Sequence, residues 1–111
     1  MFGLFGRSEV RDLGPEEVAA ELAADRIVLV DVREPNETAR ERIPGAVLMP
    51  LSVFDPAELP DPAGREVVFS CASGIRSVKA VEMAQAAGLP HRAHLAGGIK
   101  AWKSAGLPTE S

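Results

Sequence analysis

Two short runs constrain this chain more than anything else in it: Ile27-Val28-Leu29-Val30-Asp31-Val32 and Glu66-Val67-Val68-Phe69-Ser70. Both are almost continuously apolar and rich in β-branched residues, without the polar alternation of a strand wet on one face. A strand of that kind needs cover on both faces, which a parallel sheet between helices supplies. The segments around them read as that cover. Gly14 can cap a helix and Pro15 fits its first position. Glu16 and Glu17 then sit where the helix dipole favours negative charge, and Val18 and Leu22 share one face. This predicts a helix over 15–24. Residues 36–42 predict a short exposed helix, followed by a turn at Ile43-Pro44-Gly45. Ala46-Val47-Leu48-Met49 predicts a brief strand ended by Pro50. Pro56, Pro60 and Pro62 leave 55–64 as loop with at most one helical turn. A helix over 77–87 stops at Gly88, a weaker, edge-like strand covers 91–95, and a last helix over 99–105 turns Trp102 inward. Strands alternating with helices give an α/β fold: one domain with a mostly parallel central sheet flanked by helices.

Composition narrows the function classes. The 111 residues are 46% hydrophobic and 25% charged, with a net charge of −4, which suits a single globular domain. The basic residues are scattered, so no clustered surface for phosphate backbones is expected and nucleic acid is not a partner. No apolar stretch approaches the length of a membrane span. The apolar start, with Phe2, Leu4 and Phe5, has no basic region before it and stops at Arg7. It reads as a lightly docked terminus offering an interaction point rather than as a secretory signal. One cysteine excludes an intrachain disulfide and any zinc site built on paired cysteines, and suits a reducing cytoplasm. The expected layout is an N-terminal extension over 1–12, the domain over 13–108 and a tail over 109–111. A monomer or weak dimer is expected.

The chemistry concentrates in Ser70-Cys71-Ala72-Ser73-Gly74-Ile75-Arg76-Ser77. This segment joins the end of a buried strand to the start of a helix, where open α/β sheets place their ligand sites. A thiol there faces unpaired backbone N–H groups and the positive end of the helix dipole, which favour thiolate. Gly74 lets the loop curl so that successive N–H groups converge on one point. Arg76 adds a permanent charge and a forked donor for an anion. Ser73 and Ser77 can each cap the helix, and Ser77 is the expected cap. A lone cysteine is more often inert packing; it is the place of Cys71, followed by Gly74 and Arg76, that makes it a nucleophile.

Four motifs in order resemble the rhodanese domain: Val30-Asp31-Val32-Arg33-Glu34, Ile43-Pro44-Gly45-Ala46, Cys71-x-x-Gly74-x-Arg76-Ser77, and Leu95-x-Gly97-Gly98-Ile99-x-Ala101-Trp102. The resemblance runs over most of the chain. It implies a sulfurtransferase that carries sulfur as a persulfide on Cys71, with residues 72–76 lining the loop around that sulfur. A small anionic donor, thiosulfate or a persulfide, would load it, and a thiol, a protein thiol or cyanide would unload it. No metal or organic cofactor is implied. Three positions depart from the family pattern. Arg42 stands where histidine is common, Thr38 where an aromatic is common, and neutral Ala72 where thiosulfate users often carry a basic residue. Ala72 therefore points toward a persulfide donor.

Asp31 and Arg33 close the first strand near the site and are expected to brace it as an ion pair rather than to react. His91 and His94 read as ordinary packing or surface histidines, and Trp102 and Leu95 as core. Gly97-Gly98 is not a dinucleotide-binding pattern. Two other functions use similar parts. Cysteine phosphatases also run from Cys to Arg at a helix N-terminus, but typically with five residues between them; here four intervene, 72–75. A non-catalytic binding or persulfide-carrier module on the same fold is the other alternative.

Overall fold

The computed structural model describes residues 9–111; the expectation placed on Phe2, Leu4 and Phe5 lies outside the described residues. Five parallel strands form one sheet: β1 (Arg11–Leu13), β2 (Ile27–Asp31), β3 (Val47–Leu48), β4 (Glu66–Ser70) and β5 (Ala93–Leu95), in the spatial order β1-β5-β4-β2-β3. The two runs singled out above are β2 and β4, paired along their whole length from Ile27–Glu66 to Asp31–Ser70. Every residue of β2 is buried, the burial that their apolar continuity demands.

The sheet is covered on both faces by α1 (Pro15–Ala23), α3 (Ile75–Ala86) and α4 (Gly98–Ser104), while the short α2 (Pro35–Thr38) lies after β2. Because side chains alternate along a strand, the two faces sort cleanly. Val28, Val30, Val67 and Phe69 pack with Ala80, Val81 and Ala84 of α3. Ile27, Leu29, Val68, Ala93 and Leu95 pack with Val18, Ile99 and Trp102. Phe69 also meets Phe54 edge-on, ring centroids 5.8 Å apart. Burying a side chain of this size contributes about 1.5–3 kcal/mol, so the centre of the sheet is its most stable part. Among the described residues, no helix is long and apolar enough to cross a membrane.

Several details differ from the sequence reading. β1 straddles the expected boundary, with Arg11 and Asp12 in the segment read as an extension and Leu13 in the domain; its burial pattern is two exposed residues and one buried, which leaves no periodicity to find. Its pairing with β5 makes β5 an inner strand, not the edge expected for 91–95. The helix expected over 36–42 is only Pro35–Thr38, started by a reciprocal cap between Glu34 and Glu37, and Thr38 is buried rather than exposed. The last residues are docked: Arg42 and Glu110 exchange backbone hydrogen bonds, and the Thr109 hydroxyl donates to Glu41 at 2.6 Å.

Candidate active site

Cys71 follows β4 directly and is buried, 1% exposed. The loop that leaves it turns at Gly74, whose φ of 100° is left-handed and which serves as the N-cap of α3 without any side-chain cap. The amides that a capping side chain would otherwise bind are thereby left to the sulfur. Gly74 N–H donates to Cys71 Sγ at 3.1 Å and Ser77 N–H at 3.3 Å. Ser77 Oγ lies 3.4 Å from the same sulfur. Burial alone pushes the thiol pKa up, but hydrogen bonds from the Ser77 side chain and the Ser77, Gly74 and Ser73 amides outweigh it. The net pKa falls below the ordinary cysteine value. Converging N–H groups of this kind favour the thiolate form of a cysteine.

Ser77 is therefore not the helix cap expected of it. The helix begins two residues earlier, at Ile75, and Ser77 sits inside the first turn, fully buried, with its hydroxyl between Cys71 and His94. Ile75 is 78% exposed and Ser73 is exposed as well.

A glycine pair, Gly97-Gly98, supports the loop. Gly97, at φ 78°, is the N-cap of α4, again without a side-chain cap. The first amides of that helix are occupied by the loop itself: Ile99 N–H donates to the Cys71 carbonyl at 2.9 Å and Lys100 N–H to the Ala72 carbonyl at 3.1 Å. The approach is so close that a Cβ on Gly98 would stand 2.4 Å from the Cys71 carbonyl oxygen and 2.5 Å from the Ala72 carbonyl carbon. Only glycine fits there.

Arg76 departs from the free anion fork expected of it. Its two terminal nitrogens both donate to Glu37, at 2.7 and 2.9 Å. This pair ties α3 to α2, and the Arg76 hydrogen bonds hold the Glu37 carboxyl down at about 2. The hydrogen bonds to Glu37 raise the Arg76 pKa, burial opposes them, and the charges of Glu37 and Cys71 add to the rise. Asp31 and Arg33 form a different clamp. They are 2% and 5% exposed, with Arg33 Nη2 2.8 Å from Asp31 Oδ2 and also donating to the Glu41 carbonyl. The Arg33 amide closes the same carboxylate at 3.0 Å. The pair fixes the backbone leaving β2.

His94 is the site residue that the sequence reading passed over. It is 4% exposed, with Nδ1 2.7 Å from Ser77 Oγ and Nε2 2.7 Å from Asp12 Oδ1. A polar residue between Ala93 and Leu95 in a buried strand was the available signal, because a buried imidazole must find partners. His91 lies outside this group, half-buried, with burial lowering its pKa. Trp102 is core, and its indole N–H donates to the Pro108 carbonyl at 2.7 Å.

The Rhodanese-like domain family model matches residues 14–105. An uncharacterized Synechocystis protein is 46% identical over 85 residues, which cover 77% of this chain and 48% of that protein. The chain thus spans about half of that relative's length. A protein named sulfurtransferase from Allochromatium vinosum is 35% identical over 100 residues, covering 89% of this chain and 94% of its own. Among solved structures, a Rhodopseudomonas palustris protein of unknown function, described as a possible tyrosine phosphatase, superimposes with a TM-score of 0.76 at 34% identity. That match covers 91% of this chain and 85% of the other.

Proposed function

This chain belongs to the family of rhodanese-like domains, and from that premise we propose that it is a sulfurtransferase in which Cys71 carries sulfane sulfur as a persulfide. The observation that carries the reading is the convergence of the Gly74 and Ser77 amides on Cys71 Sγ. The name of the Allochromatium relative, which matches this chain over nearly its full length, supports the same chemistry.

Transfer runs in two displacements. Cys71 thiolate attacks the outer sulfur of a donor, the donor's S–S bond breaks, and its electron pair leaves with sulfite from thiosulfate or with a thiolate from a persulfide. The new sulfur remains on Cys71 as a persulfide anion at the mouth of the loop amides. A thiolate or cyanide acceptor then attacks that terminal sulfur, and Cys71 thiolate leaves. Preorganised donors of this kind are worth about 3 kcal/mol of barrier each. Anion stabilisation falls to the loop amides and the start of α3. Arg76 acts by anchoring that helix to Glu37. With Arg76 so engaged and Ala72 neutral, a persulfide donor suits the loop better than doubly charged thiosulfate.

The phosphatase description of the Rhodopseudomonas protein calls for a direct comparison. A phosphatase of this kind needs an arginine fork on the phosphoryl oxygens and an acid for the leaving alkoxide. Here the fork is on Glu37, and residues 72–75 contain no carboxyl group.

The test is turnover of sulfur from glutathione persulfide and from thiosulfate to cyanide, beside Cys71→Ser and with p-nitrophenyl phosphate as the rival substrate. Cys71-dependent sulfur transfer, faster from the persulfide and without phosphate release, is expected. Phosphate release without sulfur transfer would replace the reading with the phosphatase. Inactivity toward all three would leave a binding or persulfide-carrier module.

A further inference from the structure

The sheet order places a second polar line beside the cradle. β5 lies between β1 and β4, with Asp12 in register with His94 and His94 in register with Phe69. In-register residues of parallel strands point to the same face. Phe69 faces α3, so His94 and Asp12 face α3 as well, and the α3 residue that meets His94 is Ser77. The outcome is an unbroken chain of contacts from the buried sulfur to water. Cys71 Sγ is 3.4 Å from Ser77 Oγ, Ser77 Oγ 2.7 Å from His94 Nδ1, and His94 Nε2 2.7 Å from Asp12 Oδ1. Ser77 and His94 are buried, whereas the Asp12 side chain is 72% exposed.

Each contact has a direction set by its partners. Ionised Asp12 can only accept, which assigns the ring proton to Nε2 and leaves the Nδ1 lone pair free. The Ser77 hydroxyl then donates to Nδ1 and turns an oxygen lone pair toward Cys71, where the thiol donates. We propose that Ser77, His94 and Asp12 are the proton path by which Cys71 becomes a thiolate. The S–H bond breaks and leaves its electron pair on sulfur, while the proton bonds to Ser77 Oγ. The original Ser77 O–H bond breaks as its proton bonds to His94 Nδ1. The net change is one proton moved from Cys71 to His94, giving a thiolate and an imidazolium, with the imidazolium held by Asp12 at the solvent edge. His94 and Asp12 are positioning residues that act through Ser77. Among the described residues, the ionisable groups facing His94 are Asp12 from β1 and, through Ser77, Cys71 from the loop after β4. α3 presents the uncharged Ser77, and β4 places the uncharged Phe69 alongside.

This proposal deepens the reading of Cys71 as a nucleophile and rests on it, so its test avoids sulfur donors altogether. The rate of Cys71 alkylation by iodoacetamide is measured against pH in the full chain, in wild type, Ser77→Ala, His94→Gln and Asp12→Asn. The expected result is a midpoint displaced to higher pH in Ser77→Ala and His94→Gln. Alkylation near neutral pH should be slower on the order of tenfold, with a smaller displacement in Asp12→Asn. Folded variants that keep the wild-type midpoint would overturn the path, even if sulfur transfer had been demonstrated. If His94→Gln fails to fold, the ring nitrogen NMR shifts of His94 supply the second measurement, in wild type and Cys71→Ala. The midpoint of His94 should move when the thiol is removed; an unmoved midpoint overturns the proposal.

Discussion

The helices α3 and α4 begin in the same way and are used differently. Each starts at a left-handed glycine, Gly74 or Gly97, and neither has a side-chain cap. An uncapped helix start leaves N–H groups that must be satisfied elsewhere. In α4 they are spent on the Cys71 and Ala72 carbonyls. In α3 the amides near the start, Gly74 and Ser77, are spent on the Cys71 sulfur. One helix start holds the loop as structure, and the other meets the sulfur proposed to react. The lesson is that a reactive cradle needs a prop of its own kind: the amides of α3 converge only because those of α4 pin the loop's carbonyls from beneath.

The comparison can be broken most severely at the prop. Gly98→Ala puts a Cβ on backbone atoms that cannot move aside, at a φ of +61°. Turnover should fall on the order of a hundredfold or more as the loop amides lose their aim, and denaturant unfolding should show a loss of about 1–3 kcal/mol. Wild-type turnover in Gly98→Ala would mean that the prop is dispensable. Gly74→Ala is the milder break. Its Cβ would stand 3.1 Å from Gly97 N at a φ of +100°, so about 1–2 kcal/mol of stability should go. Its turnover should suffer less than that of Gly98→Ala.

The smallest effect sharpens the comparison by testing the tie between α3 and α2. The Glu37 carboxyl is held at about 2 against an ordinary 4.5, chiefly by the Arg76 hydrogen bonds. A carboxyl with a depressed folded pKa contributes stability above its unfolded pKa and loses it as pH falls through the folded one. The contribution should therefore fade between pH 4.5 and about 2. Because both partners are about a third exposed, it should be at most about 1 kcal/mol near neutral pH. Melting temperature against pH should be flatter over that window in Glu37→Gln than in wild type; parallel curves would remove the ion pair from the account.

What could be read from the sequence follows from where the physics was local. β2 and β4 were legible because burial on both faces forces an unbroken apolar run, and the place of the candidate nucleophile was legible because Cys71 stands at the end of one. The same holds for Gly14-Pro15 at the start of α1. The onset of α3 was misplaced because its amides are satisfied by the sulfur rather than by a hydroxyl, which left no capping pattern to read. Arg76 was given to the donor because its partner, Glu37, lies 39 residues away. β1 was invisible since two of its three residues are exposed. With it went Asp12 and the role of His94, 82 residues distant, which only the strand order brings together.

The central claim, that Cys71 carries the sulfur, is tested most directly by intact-mass measurement of the protein after loading with glutathione persulfide in the absence of any acceptor. The account predicts one added sulfur atom, mapped to the peptide containing Cys71, absent in Cys71→Ser and discharged by cyanide. A protein that turns over sulfur without that adduct, or that keeps the adduct in Cys71→Ser, would contradict it.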